Sequence, residues 1–255
     1  MGMQLAWGGT RDFCAESRMI VASACVERDV LATPRNLMLH TMTNCGLHEF
    51  VAERVLAHYA RPGVRAVDLG AGPGAMAARL QGLGCEVLAV DRDARGFEAS
   101  VPHRCLDFDQ TDFASQLGPA GFGLITAIEV IEHVESPIGF LRNVGRLLAR
   151  GGVAVITTPN VDSLPARLKF LLAGKIRTMD EHSEPTHISP IFFDLLQRQF
   201  LPRAGVRLKE RLLFPPKAYQ LTRKPLAWGF HLASAVLPGK CLQGDNHVLV
   251  VEAIS

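Results

Sequence analysis

An α/β fold, a mostly parallel sheet with helices on both faces, is what this sequence of 255 residues predicts. Three observations lead there. Short apolar runs alternate with stretches whose apolar residues recur at helical spacing, the pattern of βαβ units. The first run ends in a cluster of glycines. Two late apolar runs, separated by a long excursion, read as a hairpin that closes one sheet edge. The composition agrees: 48% of the residues are hydrophobic, 20% are charged and the net charge is +2, which excludes a disordered chain. The length suffices for one sizeable core.

Arg65 to Leu69 forms the first strand, and Ala75 to Leu80 the helix after it. Glu86 to Val90 is the second strand, His103 to Phe108 the third, and the strongly apolar Phe122 to Val130 the fourth. Ser136-Pro137 then supplies an N-cap followed by proline at the first helical position, where a missing N–H costs nothing. Ile138, Leu141, Val144 and Leu148 recur at helical spacing, and Gly151-Gly152 is expected to end that helix. Val153 to Thr158 is the fifth strand. Ile191 to Phe200 reads as a helix; Val206 to Phe214 and His247 to Ala253 read as the hairpin strands. Residues 161–190 and 215–240 are expected to cap an acceptor pocket lined by Phe170, Phe192, Phe193, Tyr219 and Trp228. Residues 1–44 carry no clear pattern and are expected to form a lid or a poorly ordered segment, leaving 45–255 as the domain proper.

Several function classes drop out early. The cysteines at 14, 25, 45, 85, 105 and 241 contain no CxxC pair, so neither a disulfide scaffold nor a zinc knuckle is expected, and a cytoplasmic location follows. Ala22 to Cys25 resembles a lipoprotein cleavage site, but Asp12, Glu16 and Arg18 fall where its apolar core should be. The longest apolar run, Pro225 to Pro238, contains His231 and is shorter than the roughly 20 residues of a bilayer span. Trp228 and Phe230, with Arg223 and Lys224 beside them, leave peripheral membrane contact open. Charge is uneven: residues 1–141 carry a net −6 and residues 142–255 a net +8. A basic half can face an anionic substrate, a lipid surface or RNA, or simply be a solvated face.

The chemistry is concentrated in two places, and the first is Val67-Asp68-Leu69-Gly70-Ala71-Gly72-Pro73-Gly74. Glycines are needed where the chain turns sharply and a ligand must approach the backbone. About twenty residues on, Asp91 ends the second strand, where a carboxylate can hold both hydroxyls of a ribose. Gly70, Gly72 and Ala75 also satisfy the dinucleotide pattern, so the discriminating residue is Asp68. A carboxylate at the mouth of the turn repels a pyrophosphate and attracts a ligand with an ammonium and a sulfonium. S-adenosylmethionine is such a ligand, and Asp68 argues against a nicotinamide oxidoreductase.

Through VDLGAGPG (67–74), VDRD (90–93), LDF (106–108) and AIEVIEHVESP (127–137), residues 64–160 resemble the class I S-adenosylmethionine-dependent methyltransferases. The resemblance implies a Rossmann-like sheet of seven strands with the last antiparallel. It implies that Asp68 and the backbone of Gly70, Gly72 and Gly74 hold the methionine portion. Asp91 would hold the ribose and Asp107 the adenine amino group, with Phe108 beside it.

The second place is the turn carrying Glu129, Glu132 and His133. If the segment turns helically, these three share one face. Two carboxylates and an imidazole suit a hard divalent cation such as Mg²⁺ or Mn²⁺. His187-Ile-Ser-Pro-Ile-Phe-Phe-Asp-Leu-Leu resembles a segment of a subgroup that includes the ubiquinone-biosynthesis O-methyltransferases and the small-RNA 2′-O-methyltransferases. The second of these implies a ligand set of Glu129, Glu132, His133 and His187. The same turn also fits a metal-free general base at His133 with Glu129 packed near the cofactor, or a purely structural role. The remaining histidines, 40, 48, 58, 103 and 182, are expected at the surface or in the core.

Methyl transfer from a sulfonium is an in-line displacement, so alignment and desolvation supply most of the rate. A hydroxyl acceptor must also lose its proton, which a neutral imidazole or a metal promotes. The expectation is therefore O-methylation of a small-molecule hydroxyl on a quinone, sugar or other secondary metabolite. An RNA methyltransferase and a catalytically silent cofactor-binding scaffold remain open.

Overall fold

A computed structural model describes residues 43–118, 121–180, 184–216, 219, 229, 232–233 and 242–254. All of these lie in one compact unit, residues 34–255. The expectations for residues 1–42, His182, Trp228, Phe230 and most of 215–240 fall outside the described residues.

The chain enters through α1, made of Leu47–Val51, a π-helical turn over Ala52–Leu56 and a last turn Ala57–Tyr59. Strand β1 (Arg65–Leu69) leads through the glycine turn into α2 (Ala75–Gly82), followed by β2 (Glu86–Asp91), β3 (His103–Cys105) and the short α3 (Phe113–Gln116). Strand β4 (Phe122–Ile128), a 3₁₀ turn (Ile131–His133), α4 (Pro137–Leu147), β5 (Leu148–Pro159) and α5 (Leu164–Ala173) come next. Helix α6 spans Phe193–Leu195, a π-helical turn Leu196–Phe200 and Leu201–Arg203, before β6 (Val206–Phe214) and β7 (Asn246–Ala253).

The seven strands form one sheet in the order β3-β2-β1-β4-β5-β7-β6. β1 to β5 are mutually parallel, while β7 runs antiparallel to both β5 and β6, so the late hairpin inserts β7 beside β5. Both faces are covered, which is why the strand sequences read as near-continuous apolar runs. On one face Ala66, Val87, Leu124, Val155 and Val250 pack against α1 and α2; on the other Val67, Val90, Ile125, Ile156 and Leu249 pack against α3, α4 and α6.

Three elements differ from expectation. The helix after Ser136 ends at Leu147, and Gly151-Gly152 lie inside β5, where a register shift separates the pairs of Phe122 and Leu124. A Cβ on Gly152 would sit 2.7 Å from the Phe122 carbonyl oxygen, so the glycines there admit a close strand approach rather than stop a helix. β3 ends at Cys105, because the Asp107 carboxylate accepts from the Asp109 amide at 3.1 Å and turns the chain. Residues 161–190 contain helix α5, closed by Gly174 at φ 64°. The Ser136 cap is as expected, its Oγ accepting from the Gly139 amide at 3.1 Å. No helix among the described residues is long and apolar enough to cross a membrane.

Candidate active site

Parallel strands all deliver their carboxyl ends to one edge, and a cavity of about 890 Å³ opens there. Asp68, Gly70, Gly72, Asp91, Asp107, Phe108, Glu129, His133 and His187 all line it. Residues from five separate stretches of chain thus meet in one space. Gly74 opens α2 just behind the wall.

At the donor end the glycine turn hangs on β2. The amides of Gly70 and Ala71 both donate to the Val90 carbonyl oxygen, at 2.8 and 3.1 Å. Gly70 has φ 75°, and a Cβ there would lie 2.3 Å from Cγ2 of Val130, so no other residue fits. At Gly72, φ 50°, a Cβ would meet no protein atom within 4 Å, so this glycine leaves the backbone open to a ligand. The Gly72 amide donates to Asp91 Oδ2 at 2.8 Å and the Asp93 amide to Oδ1 at 3.2 Å. Asp91 therefore braces the turn as well as facing the cavity. Phe108 is wedged against Phe113 and Phe140, with ring centroids 5.2 and 5.6 Å away, which sets its ring beside Asp107.

Asp68 is only 1% exposed. Its Oδ1 accepts from the Thr126 hydroxyl at 2.7 Å, and Oδ2 has no well-formed hydrogen bond. Burial pushes its pKa up to about 7, against the pull of the Thr126 hydrogen bond. The charge that the sequence argument relies on is therefore half-formed at neutral pH, and a cationic ligand completes it. An orphaned buried carboxylate oxygen beside a Cβ-free turn, with a ribose-type carboxylate on the next strand, fits S-adenosylmethionine. The sign of the pH dependence follows. Below pH 7 the neutral acid dominates and must lose a proton to meet the ammonium, so affinity for S-adenosylhomocysteine should rise from about pH 5.5 to about 7, by up to about tenfold per unit. Calorimetry checks this, and a flat profile would take Asp68 out of contact with the ligand.

At the other end, Glu129 adopts the left-handed conformation at φ 56°, a cost of roughly 1–3 kcal/mol for a residue with a Cβ. The strain is held by hydrogen bonds. The Glu129 amide donates to Thr157 Oγ1 at 2.9 Å, that hydroxyl donates to Glu129 Oε1 at 3.0 Å, and Asn246 Nδ2 donates to Oε2 at 2.9 Å. Asn246 in turn accepts from Asn44 Nδ2 at 2.6 Å. Burial raises the Glu129 pKa to about 7 despite these bonds.

His133 is half-buried, and its Nδ1 lies 3.1 Å from the Thr186 carbonyl oxygen. A carbonyl only accepts, so Nδ1 carries the proton and Nε2 keeps its lone pair. His187 repeats the arrangement with the Thr178 carbonyl oxygen at 2.7 Å, and the two rings stand 4.6 Å apart. Burial, then the neighbouring His187, lowers the His133 pKa and keeps its ring neutral at pH 7. Glu132 is fully buried without a well-formed hydrogen bond to either carboxylate oxygen, and burial and then Glu129 raise its pKa well above the carboxylate range.

Glu132, His133 and His187 bring one ligand atom each within 4.8 Å of one another. Glu129, expected beside them, turns both oxygens toward Thr157 and Asn246 instead. The expected aromatic lining is absent among the described residues: Phe170 and Phe192 are exposed, Phe193 is buried against His247, and the Tyr219 hydroxyl is bonded to the Leu242 carbonyl. Asn44, His48, Arg177, Thr178 and Asp245 join the predicted residues in a wall that also carries Met76, Ile128, Val130 and Ile188. His48 carries no sequence signal, yet it is buried in this wall, and desolvation lowers its pKa to about 4.

The sequence model of one family, described as a methyltransferase domain, matches residues 40–199. The ubiquinone biosynthesis O-methyltransferase of Caulobacter sp. (strain K31) is 31% identical over 153 residues, covering 54% of this chain and 58% of that protein. The like-named protein of Xanthomonas campestris pv. campestris (strain B100) is 30% identical over 143 residues, covering 53% and 57%. The match thus spans a little over half the length of these relatives. Among solved structures, an S-adenosylmethionine-dependent methyltransferase from Archaeoglobus fulgidus superposes with a TM-score of 0.55 at 17% identity, covering 80% of this chain and 93% of the other. One from Mesorhizobium loti gives 0.52 at 18%, covering 81% and 98%. These last two are likenesses of fold. With a family match over more than half of its residues and the seven-stranded sheet that goes with it, the chain belongs to the methyltransferase domain family, in its class I form.

Proposed function

We propose that the chain transfers the methyl group of S-adenosylmethionine to a hydroxyl oxygen of a small molecule. One observation carries the reading: the unprotonated Nε2 of a neutral His133 belongs to the same cavity as the glycine turn and Asp91. When bound, S-adenosylmethionine supplies an electrophilic methyl carbon. Asp91, the amides of the turn and Asp68 bind and orient that donor, and Asp107 and Phe108 receive its base. His133 Nε2 takes the hydroxyl proton as the oxygen becomes nucleophilic, and the buried walls exclude competing water. The names of the Caulobacter and Xanthomonas relatives support oxygen as the acceptor atom.

A divalent cation is a second reading, favoured by the convergence of Glu132, His133 and His187 and by the unpartnered Glu132 carboxylate. Mg²⁺ or Mn²⁺ would lower the hydroxyl pKa, leaving His133 a ligand instead of a base. The test is formation of S-adenosylhomocysteine from S-adenosylmethionine with a panel of phenols, enols, sugars and short RNAs, with and without EDTA. Turnover of small hydroxyl compounds that survives EDTA is the expected result. Loss of turnover on chelation, restored by Mg²⁺ or Mn²⁺, selects the metal reading. Turnover confined to RNA, or consumption by none of them, removes the proposal.

A further inference from the structure

Arg177 sits in the acceptor half of the cavity wall with a partly spent guanidinium. Its Nη1 donates to Asp245 Oδ1 at 2.6 Å, the side chains being 21% and 4% exposed. That is its one partner among the described residues, whereas a guanidinium offers five N–H donors in a planar fork. Its chain neighbour Thr178 holds His187, which meets His133 edge-on, so Arg177 is tied to the base from one side and by Asp245 to the sheet edge from the other. The other cation lining the cavity among the described residues, Arg92, follows the ribose carboxylate Asp91 and also acts electrostatically on His133.

No Arg177 nitrogen is both buried and unpartnered, so the remaining N–H donors are open to whatever enters the cavity. A carboxylate matches the free edge of the fork with two parallel bonds. The acids facing the same space do not cancel this attraction. Asp68, Asp91 and Asp107 belong to the donor end, Asp245 is already the partner of Arg177, Glu129 is bonded to Thr157 and Asn246, and Asp109, Glu135 and Glu184 are exposed to solvent.

We propose that the acceptor is a hydroxylated carboxylic acid whose carboxylate is held by Arg177 while its hydroxyl faces His133. This deepens the methyl-transfer reading and rests on it. In the step, the sulfur–methyl bond breaks as the oxygen–methyl bond forms. The hydroxyl proton passes to Nε2 of His133, S-adenosylhomocysteine leaves, and the carboxylate is unchanged.

The test uses the full chain saturated with S-adenosylhomocysteine, titrated calorimetrically with two matched pairs: 3,4-dihydroxybenzoate against catechol, and glucuronate against glucose. In at least one pair the acid should bind about tenfold tighter or more. Arg177→Gln should erase that margin and leave S-adenosylhomocysteine affinity unchanged. Arg177→Lys, which keeps the charge and loses the fork, should erase most of it and guards against a folding defect in the first variant. Acids that bind no tighter than their neutral partners, no binding of any probe, or a margin that survives Arg177→Gln would each overturn the proposal. Failure of S-adenosylhomocysteine itself to bind would instead sink the methyl-transfer reading beneath it.

Discussion

His133→Ala should slow turnover by about 10²–10⁴-fold, the range that a positioned acid–base group contributes, with S-adenosylhomocysteine affinity unchanged. The Thr186 carbonyl fixes the tautomer by accepting from Nδ1, leaving Nε2 as the basic atom, and burial keeps the ring unprotonated at neutral pH. With donor saturating, turnover in the unaltered protein should therefore be flat through neutral pH and fall only in acid, below the usual histidine range, as His133 takes up a proton. Rates of S-adenosylhomocysteine formation against pH, measured beside calorimetric affinities, read both quantities. A variant with normal turnover would remove His133 from the chemistry, and an equal loss of affinity and rate would make it part of the binding wall.

Asp91→Ala should weaken S-adenosylhomocysteine binding by about 100-fold or more, because two things fail together. The ribose loses a charged acceptor, worth about 1.5–3 kcal/mol for each such hydrogen bond. The glycine turn also loses its brace, since Asp91 Oδ2 accepts from the Gly72 amide at 2.8 Å. Asp91→Asn separates the two: an amide oxygen can still accept from Gly72, but it brings no charge to the ribose hydroxyls. An intermediate loss is expected there. Calorimetric affinity unchanged in Asp91→Ala would end the ribose assignment.

The binding end of the site was legible because a strand-to-helix turn is a local object. Asp68, Gly70, Gly72 and Asp91 are placed by the rule that parallel strands send their carboxyl ends to one edge, so naming the strands names the site. The acceptor end was not legible. Asn246 pins Glu129 from 117 residues away, and Asn44 is bonded to Asn246 from 202 residues away. No spacing rule relates such positions. Nor could the sequence show that Glu129 would turn from Glu132 toward Thr157, since that rests on a single left-handed residue.

Alternation of apolar runs and helical patterning, with glycines at one bend, was enough to determine the sheet, its hairpin edge and the donor end, because those features depend on neighbours in the chain. Charge was decided only by tertiary structure. Asp68 reads as a standing negative charge, and only the depth at which β1 lies between two covered faces turns it into a group that ionises near pH 7. Arg177 reads as one basic residue among many until β7 brings Asp245 against it. Desolvation and pairing are properties of the surroundings, and the surroundings exist only once distant segments have met.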